Sequence, residues 1–402
     1  MNAEQIFDRY PHLRFQRPPL EMESFRLLHE CSTLAEQIRK SPLLPSSRKR
    51  LMQISLVKGV HGTAAIEGNQ LTLDQVQSIA QDESPRVPAS LEYQEIEIQN
   101  ILKAMNEVLR RRDNDPDFKR WLSSSDIFDI HQTMTASLQE HMDGPFGRYR
   151  QDRRQVGRYS CPDPSLVPSL MDLFLDWLKT EFHFGSPDYQ MSDAITQAIC
   201  AHAYFEMIHP FADGNGRTGR LIEFFFLTRG GVPAVVGLRL ADYYNSTREE
   251  YYRQLQRCST ERTVRHFLAY ALRGLRDGIT DVLKLIDETV LGLTWRTYVH
   301  DVFNELSETS GKLISRRRKL ALNLPLFSGR LAVDIVNQKA LKSLYESVGE
   351  RTLARDIDFL KKLGLVDTSG RGFKANTSRL RALLDVSEYN TEANFDLTND
   401  IE

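Results

Sequence analysis

A mainly α-helical fold of more than one domain follows from three features of the sequence. Apolar residues recur at helical spacing along nearly the whole chain, with no internal repeat. Helix-starting Ser and Thr residues and helix-breaking Pro and Gly clusters punctuate that pattern at regular intervals. At 402 residues, with 41% apolar and 26% charged side chains, the chain has the make-up of a soluble globular protein too long for one ordinary core, which implies roughly two to three domains.

The N-terminal region, 1–113, reads as helical. Met22 to Ile38 is amphipathic and ends at the turn 41–47, where Pro42 and Pro45 stop it. A second helix is expected from about Ser47 toward Val60, followed by the short segment HGTAAIEGNQ. Thr72 and Gln75 have capping-box spacing for the next helix. SPRVPAS, around Pro85 and Pro88, is a linker, and Leu91 to Arg112 is a helix with a basic end.

The region 114–292 should form a second unit. Ser125 is placed to cap a helix running through Thr135. The stretch 144–164, GPFGRYRQDRRQVGRYSCPDP, is rich in Gly, Arg and Tyr and reads as a hairpin-like flap. Helices follow over Pro168 to Phe182 and Ser192 to Ile208, and Leu221 to Leu227 is apolar on almost every side except Glu223, as in a buried central helix. From about Trp295 the composition shifts: 301–385 carries 16 Lys and Arg against 10 Asp and Glu, while 386–402 has five acids, no base and the character of a disordered tail.

The net charge of −2 gives no global argument for nucleic acid or an anionic membrane as partner. Cys31, Cys161, Cys200 and Cys258 are far apart and form no CxxC pair, so neither a zinc site nor a disulfide framework is expected, and a reducing compartment is the simpler reading. The first residues lack an apolar run of signal-peptide length, and no stretch approaches a membrane span. The expected location is cytoplasmic.

Chemistry concentrates in 209–220, HPFADGNGRTGR. A glycine-rich turn opening a helix presents unpaired backbone N–H groups at the positive end of the helix dipole, which suits phosphate. Arg217 and Arg220, three apart, can clamp further phosphates in fork geometry. Asp213 is the carboxylate at hand for the Mg²⁺ that accompanies a triphosphate, and His209 can take a proton from an attacking hydroxyl. These parts suit phosphoryl or nucleotidyl transfer. A purely structural Asp-Gly turn would have little use for two such arginines.

This segment matches every fixed position of the Fic motif, HxFx(D/E)GNGRxxR, and the preceding AICAHAYFEMI also resembles the Fic family. The resemblance implies a Fic-type helical core and protein adenylylation, with ATP as donor and a Tyr, Thr or Ser side chain as acceptor. It implies that His209 is the general base, that Asp213 is the Mg²⁺ ligand and that Gly214, Asn215 and Gly216 cradle the α-phosphate. Arg217 and Arg220 would bind the outer phosphates, with Thr218 and Gly219 beside them, and Phe211 would anchor the loop. Gly216 stands where relatives with kinase chemistry carry Lys, which favours AMP transfer.

Upstream, Thr63-Ala-Ala-Ile-Glu67-Gly68 resembles the family's (S/T)xxxE(G/N) inhibitory motif. An ion pair of Glu67 with Arg220 is therefore expected, removing a γ-phosphate ligand; in some relatives the same glutamate also supports removal of AMP. The flap segment 155–160 could align a target by strand addition, although Arg148, Arg150, Arg153, Arg154 and Arg158 also fit a solvated basic loop. YYNSTREEYYRQL resembles the helix that bounds the adenine, with Tyr251 ahead of Asn245 as the contact and core packing of the tyrosines as the alternative. His202 reads as a hydrogen-bonded structural histidine.

In 295–385, TLARDIDFLKKLGLV followed by DTSGRGFKAN resembles the recognition helix and wing of a winged helix. Arg351, Arg355, Lys361, Lys362, Arg371 and Lys374 could meet DNA phosphates, against which Asp356 and Asp358 weigh; a protein-docking or homodimerising module competes with that reading. The leading expectation is an autoinhibited, ATP- and Mg²⁺-dependent protein adenylyltransferase. Its rivals are a nucleotide-sensing DNA-binding regulator and an enzyme using another nucleotide donor.

Overall fold

The computed structural model describes residues 2–83, 87–115, 118, 122–183, 186, 189–306, 311–327, 330, 334, 339–345, 350–368 and 372–381. They form two compact units, Met1–Leu285 and Ile286–Glu402. Helices dominate both, as the apolar periodicity predicts, and among the described residues no helix is long and apolar enough to cross a membrane.

In the first unit, α1 (Ala3–Arg9) opens on a reciprocal capping box between Asn2 and Gln5. Then come α2 (Met22–Lys40), α3 (Pro45–Ile66), α4 (Leu73–Ala80) and α5 (Glu92–Asn114). The capping box Thr72–Gln75 starts α4 as the spacing predicts. By contrast, α6 (Ser124–Met134) is capped by Ser123 rather than Ser125, because only Ser123 forms the reciprocal box with Asp126. The flap holds an antiparallel pair, β1 (Gln155–Val156) and β2 (Tyr159–Ser160), turning at Gly157 with φ 57°.

Beyond it lie α7 (Val167–Phe182), α8 (Met191–Ile208), α9 (Asn215–Arg229), α10 (Ala234–Gly237), α11 (Arg239–Ser246), α12 (Arg248–Thr260) and α13 (Arg265–Asn304). The last of these runs from the first unit into the second and passes 292, where the second expected region ends. Helices α8 and α9 pack together at the centre, and nearly every residue of both is buried, as the uninterrupted apolar run of α9 requires.

The expected break near Val60 is absent, because α3 runs unbroken to Ile66. Pro45 fixes the first turn, and tertiary packing overrides the poor helix propensity of Gly59 and Gly62. A Cβ at Gly59 would lie 2.8 Å from the Leu238 carbonyl oxygen, and one at Gly62 would lie 2.6 Å from that of Ala241. The two glycines let α3 press its backbone onto the α10–α11 segment, and this contact sets where Glu67, at the end of α3, projects.

The second unit packs Trp295, Val299, Phe303, Leu320, Leu341, Leu360 and Leu365 into its own core. Trp295 Nε1 donates to the Ala321 carbonyl at 3.0 Å. The helix Glu350–Lys362 leads into an antiparallel pair, Val366–Asp367 with Lys374–Ala375. Asp356, weighed above against DNA contact, turns inward and accepts hydrogen bonds from Arg316 and Arg317 Nε, both at 2.8 Å, and from the Tyr345 hydroxyl at 3.0 Å. Asp358 remains exposed. Arg371 and the tail 386–402 lie outside the described residues.

Substituting Gly62→Ala should lower stability by about 1–3 kcal/mol through overpacking, read as a fall in the chemical-denaturation midpoint. An unchanged midpoint would mean that α3 and α11 do not meet this closely.

Candidate active site

The motif folds as a sharp connection between the two central helices. α8 ends where His209 enters the left-handed region at φ 50°, ψ 61°, and Gly214 takes φ 76° just before α9 begins. Asn215 closes the loop: its Oδ1 accepts the Phe211 N–H at 2.8 Å, and its Nδ2 donates to the Phe211 carbonyl at 2.9 Å. Its side chain is thereby committed to the Phe211 backbone, and any part it takes in the cradle falls to its own backbone N–H. Phe211 is fully buried, as expected of an anchor.

No side chain caps the N-terminus of α9. Its first-turn N–H groups are orphan donors at the positive end of the helix, the arrangement that binds anions. Thr218 and Gly219, expected near the phosphates, face inward. Thr218 is fully buried, and its N–H donates to the Gly214 carbonyl at 3.1 Å. Gly219 packs on α8, where an added Cβ would lie 2.7 Å from Glu206 Oε1.

Both arginines of the motif are buried and already paired. Arg220 Nη2 donates to Glu67 Oε1 at 2.6 Å and to the Thr63 carbonyl at 3.0 Å. The expected ion pair is thus present, with Thr63 contributing its backbone while its hydroxyl makes no hydrogen bond. A Cβ built on Gly216 would collide with Glu67 Oε1, so this carboxylate lies directly over the glycine of the anion turn. Burial would raise the Glu67 carboxyl, but Arg220 and then Arg217 outweigh it and hold it below the usual range. Gly68, at φ 99°, turns the chain away just after it.

Arg217 is held by Glu97 of α5, to which its Nη1 donates, while its Nη2 lies 3.6 Å from Asp213 Oδ1. Glu97 also accepts from Asn69 Nδ2 at 2.8 Å, and Asn69 donates to the Gln94 carbonyl at 3.0 Å. The turn that follows Glu67 and the first arginine of the motif therefore share one network. Asp213 Oδ1 accepts the Gly214 N–H at 2.5 Å, and its side chain is 41% exposed at the mouth of the turn. Among the described residues no group of three or more His, Cys, Asp or Glu could hold a metal ion. A single exposed carboxylate still fits Mg²⁺, which dehydrates reluctantly and takes one or two carboxylates together with substrate phosphates and water.

His209 is unprotonated at neutral pH, since burial and then Arg150 push its pKa down to about 4. Arg150 is no solvated flap residue. It is buried, and its guanidinium donates to the carbonyls of His209 at 2.7 Å, Asp152 at 2.8 Å and Pro162 at 2.7 Å. The Tyr159 hydroxyl donates to the Met207 carbonyl at 2.7 Å, so the flap is fastened to the end of α8.

Sequence reasoning missed His131 as well. Its ring stacks on Phe211 at 3.7 Å, Nε2 donates to the Asp213 carbonyl at 2.9 Å, and Nδ1 accepts the Gly147 N–H at 3.1 Å. The carbonyl partner fixes the tautomer, and burial pushes its pKa down to about 4. Tyr251 belongs to the core: its hydroxyl meets His202 at 2.9 Å and its ring stacks on Tyr244. His202 is hydrogen-bonded, as expected. The neighbouring Tyr252, 42% exposed, donates to the Ile66 carbonyl at 3.1 Å and stands beside Glu67. The doubled tyrosine was a legible signal, but only the packing tells which of the two faces out.

Comparison with known proteins now gives this geometry a context. The family model described as Fic/DOC family matches residues 121–227. Among curated relatives, the protein adenylyltransferase fic-1 of Caenorhabditis elegans is 28% identical over 249 residues, which cover 60% of this chain and 44% of that protein. The protein adenylyltransferase Fic of Nematostella vectensis is 30% identical over 234 residues, covering 55% of this chain and 51% of that one. The chain thus spans about half the length of the curated relatives it matches. Among solved structures, a Fic family protein from Desulfovibrio desulfuricans G20 superposes with a TM-score of 0.54 at 20% identity, covering 90% of this chain and 98% of that one. Fic-1 from C. elegans superposes with a TM-score of 0.52 at 23% identity, covering 66% and 73%. Both likenesses are of fold. With the motif intact on an uncapped helix N-terminus, the segment 121–227 matches the Fic/DOC family model, and that family match is confined to this part of the chain.

Proposed function

We propose that the Fic domain transfers AMP from ATP to a Tyr, Thr or Ser hydroxyl of a protein and that Glu67 restrains the reaction. The observation that carries this reading is the Glu67 carboxylate lying on Arg220, over Gly216, at an anion-binding turn. A carboxylate there stands in for a phosphate. Relatives named as protein adenylyltransferases support the same chemistry.

In the proposed reaction the target hydroxyl attacks the α-phosphorus, the bond from that phosphorus to the β-bridging oxygen breaks, and pyrophosphate leaves. His209 takes the hydroxyl proton, and the neutrality of its imidazole keeps it available. The first-turn N–H groups of α9 receive the charge on the α-phosphate, and Arg217 and Arg220 hold the outer phosphates. Asp213 would hold a Mg²⁺, which when bound would supply charge stabilisation for the departing pyrophosphate. The exposed edge of Gln155–Ser160 is proposed to receive an extended target segment by strand addition, with backbone rather than side chains setting the register. The order of helix and antiparallel pair supports a winged-helix-like second unit.

Wild-type protein should label itself or a target weakly with ATP radiolabelled at the α-phosphate, and Glu67→Gly should raise that label at least about ten-fold, since losing the pair frees a charge-assisted contact. Adding His209→Ala to that variant should return the signal to background. Equal labelling of wild type and Glu67→Gly would remove the restraint from the proposal, and transfer from GTP or UTP in preference to ATP would change the donor.

The pH dependence follows from the depressed pKa of His209. The neutral ring is the active base, and the lowered pKa keeps it neutral below the ordinary imidazole value; removing Glu67, whose charge raises that pKa, moves it lower still. The kcat of Glu67→Gly at saturating Mg-ATP should therefore hold from pH 8 down to about 5 and fall only nearer 4. A half-loss centred at an ordinary histidine pKa would mean that the bound state re-exposes the ring.

A further inference from the structure

Glu206 is an oddly placed acid. It sits in the last turn of α8, three residues before His209, where the helix dipole disfavours negative charge. Its Oε1 is shut off from solvent and has no hydrogen-bond partner. Such a group is costly to bury and calls for a reason. Oε1 packs against Gly219, the residue before Arg220, and any side chain at 219 would displace it.

Arg220 has the complementary deficit. Its Nη2 is occupied by Glu67 and the Thr63 carbonyl, while its buried Nε and Nη1 have no acceptor. The titratable groups facing Glu206 are His202 on its own helix, Arg220 and Glu223 of α9, Glu67 of α3, Tyr251 of α12 and Cys161 below the flap. The only permanent cation among them is Arg220, and Glu67 now claims it.

We propose that Glu206 is a positioning residue for Arg220: once Glu67 withdraws, the Glu206 carboxylate takes the inner edge of the guanidinium and leaves the outer edge aimed at the terminal phosphate of the nucleotide. The planar fork of an arginine serves two anions at once in this way, whereas a guanidinium without an inner partner must be ordered by the phosphate alone. Burial pushes the Glu206 carboxyl up to about 6 against the pull of His202 and Arg220, with Glu67 and Glu223 adding to the rise. Departure of Glu67 removes a like charge and frees the cation, so both changes favour the ionised form. This assignment rests on the nucleotide-binding part of the proposed function.

The test uses the full chain carrying Glu67→Gly, alone and with Glu206→Gln or Glu206→Asp. Calorimetry measures Mg-ATP and Mg-AMP binding, and thermal melts verify folding. Glu206→Gln should weaken Mg-ATP binding about ten-fold and leave Mg-AMP binding unchanged, since AMP lacks the outer phosphates. Glu206→Asp should recover part of the loss. Mg-ATP affinity of the single variant should decline only as pH falls below 6, since the loss of Glu67 lowers the Glu206 pKa, and that decline should vanish in Glu206→Gln.

Unchanged Mg-ATP affinity in a folded Glu206→Gln protein would overturn the assignment, as would equal losses for ATP and AMP, which mark a merely structural residue. If Glu206→Gln fails to fold, Glu206→Asp decides: an ATP-selective loss supports the assignment and no loss overturns it. If Glu67→Gly binds Mg-ATP but transfers no AMP, the adenylylation reading fails while the affinity comparison still stands. If it binds no nucleotide, both fall.

Discussion

The site depends on a helix N-terminus left without a cap. Most helices satisfy their first N–H groups with a Ser, Thr, Asp or Asn side chain, as α1, α4 and α6 do here. At α9 the capping position is Gly214, which has no side chain to offer, and the neighbouring Asn215 side chain is bound to Phe211. A fully buried helix pair with an open positive end has few ways to satisfy those donors. Water, an anion from solution or a carboxylate from elsewhere in the chain must do it. The rest of the first unit follows from that choice: His131 and Arg150 brace the loop from both sides, and α3 and α5 deliver acids to its arginines.

Charge balance explains why two acids rather than one face the motif. Arg217 and Arg220 lie almost entirely out of solvent, and an unpaired buried guanidinium would be strongly unfavourable. Glu97 answers the first and Glu67 the second. A triphosphate brings its own negative charge, so at least one acid must yield for nucleotide to bind in the proposed pose. Both carboxylates cannot stay over a phosphate without repulsion at short range.

Much of this was legible locally and little of it at a distance. His209 to Arg220 could be singled out because the glycine turn, the histidine and both arginines lie in one contiguous run whose residue types have few other uses together. Glu67 was legible because its spacing from Thr63 follows a pattern. Glu97, His131, Arg150 and Tyr252 were not, since each gains its place from a tertiary contact across tens of residues that no local spacing records. The end of α3 was misplaced for a related reason. Glycine-rich GVHGTAA reads as a helix end by propensity, yet those glycines are where a second backbone presses in. Tyr251 shows the limit of side-chain type as a guide, because adjacent tyrosines on one helix face different media.

The two acids are not equivalent, and their surroundings indicate which one yields. Glu97 comes from the second turn of a 23-residue helix, its side chain is 9% exposed, and Asn69 holds its second oxygen. Moving it would shift a core element. Glu67 lies at the very end of α3, its side chain is 31% exposed, and a left-handed glycine follows it. A change of backbone angle at Gly68 or of rotamer at Glu67 could swing the carboxylate outward without disturbing α3, whose packing is fixed farther back at Gly59 and Gly62. The tether from Asn69 to Glu97 and Gln94 keeps the turn close by while it moves. A hinged acid beside a fixed one leaves Arg217 held and Arg220 able to change partner, so on the proposed reading regulation acts at the outermost phosphate clamp.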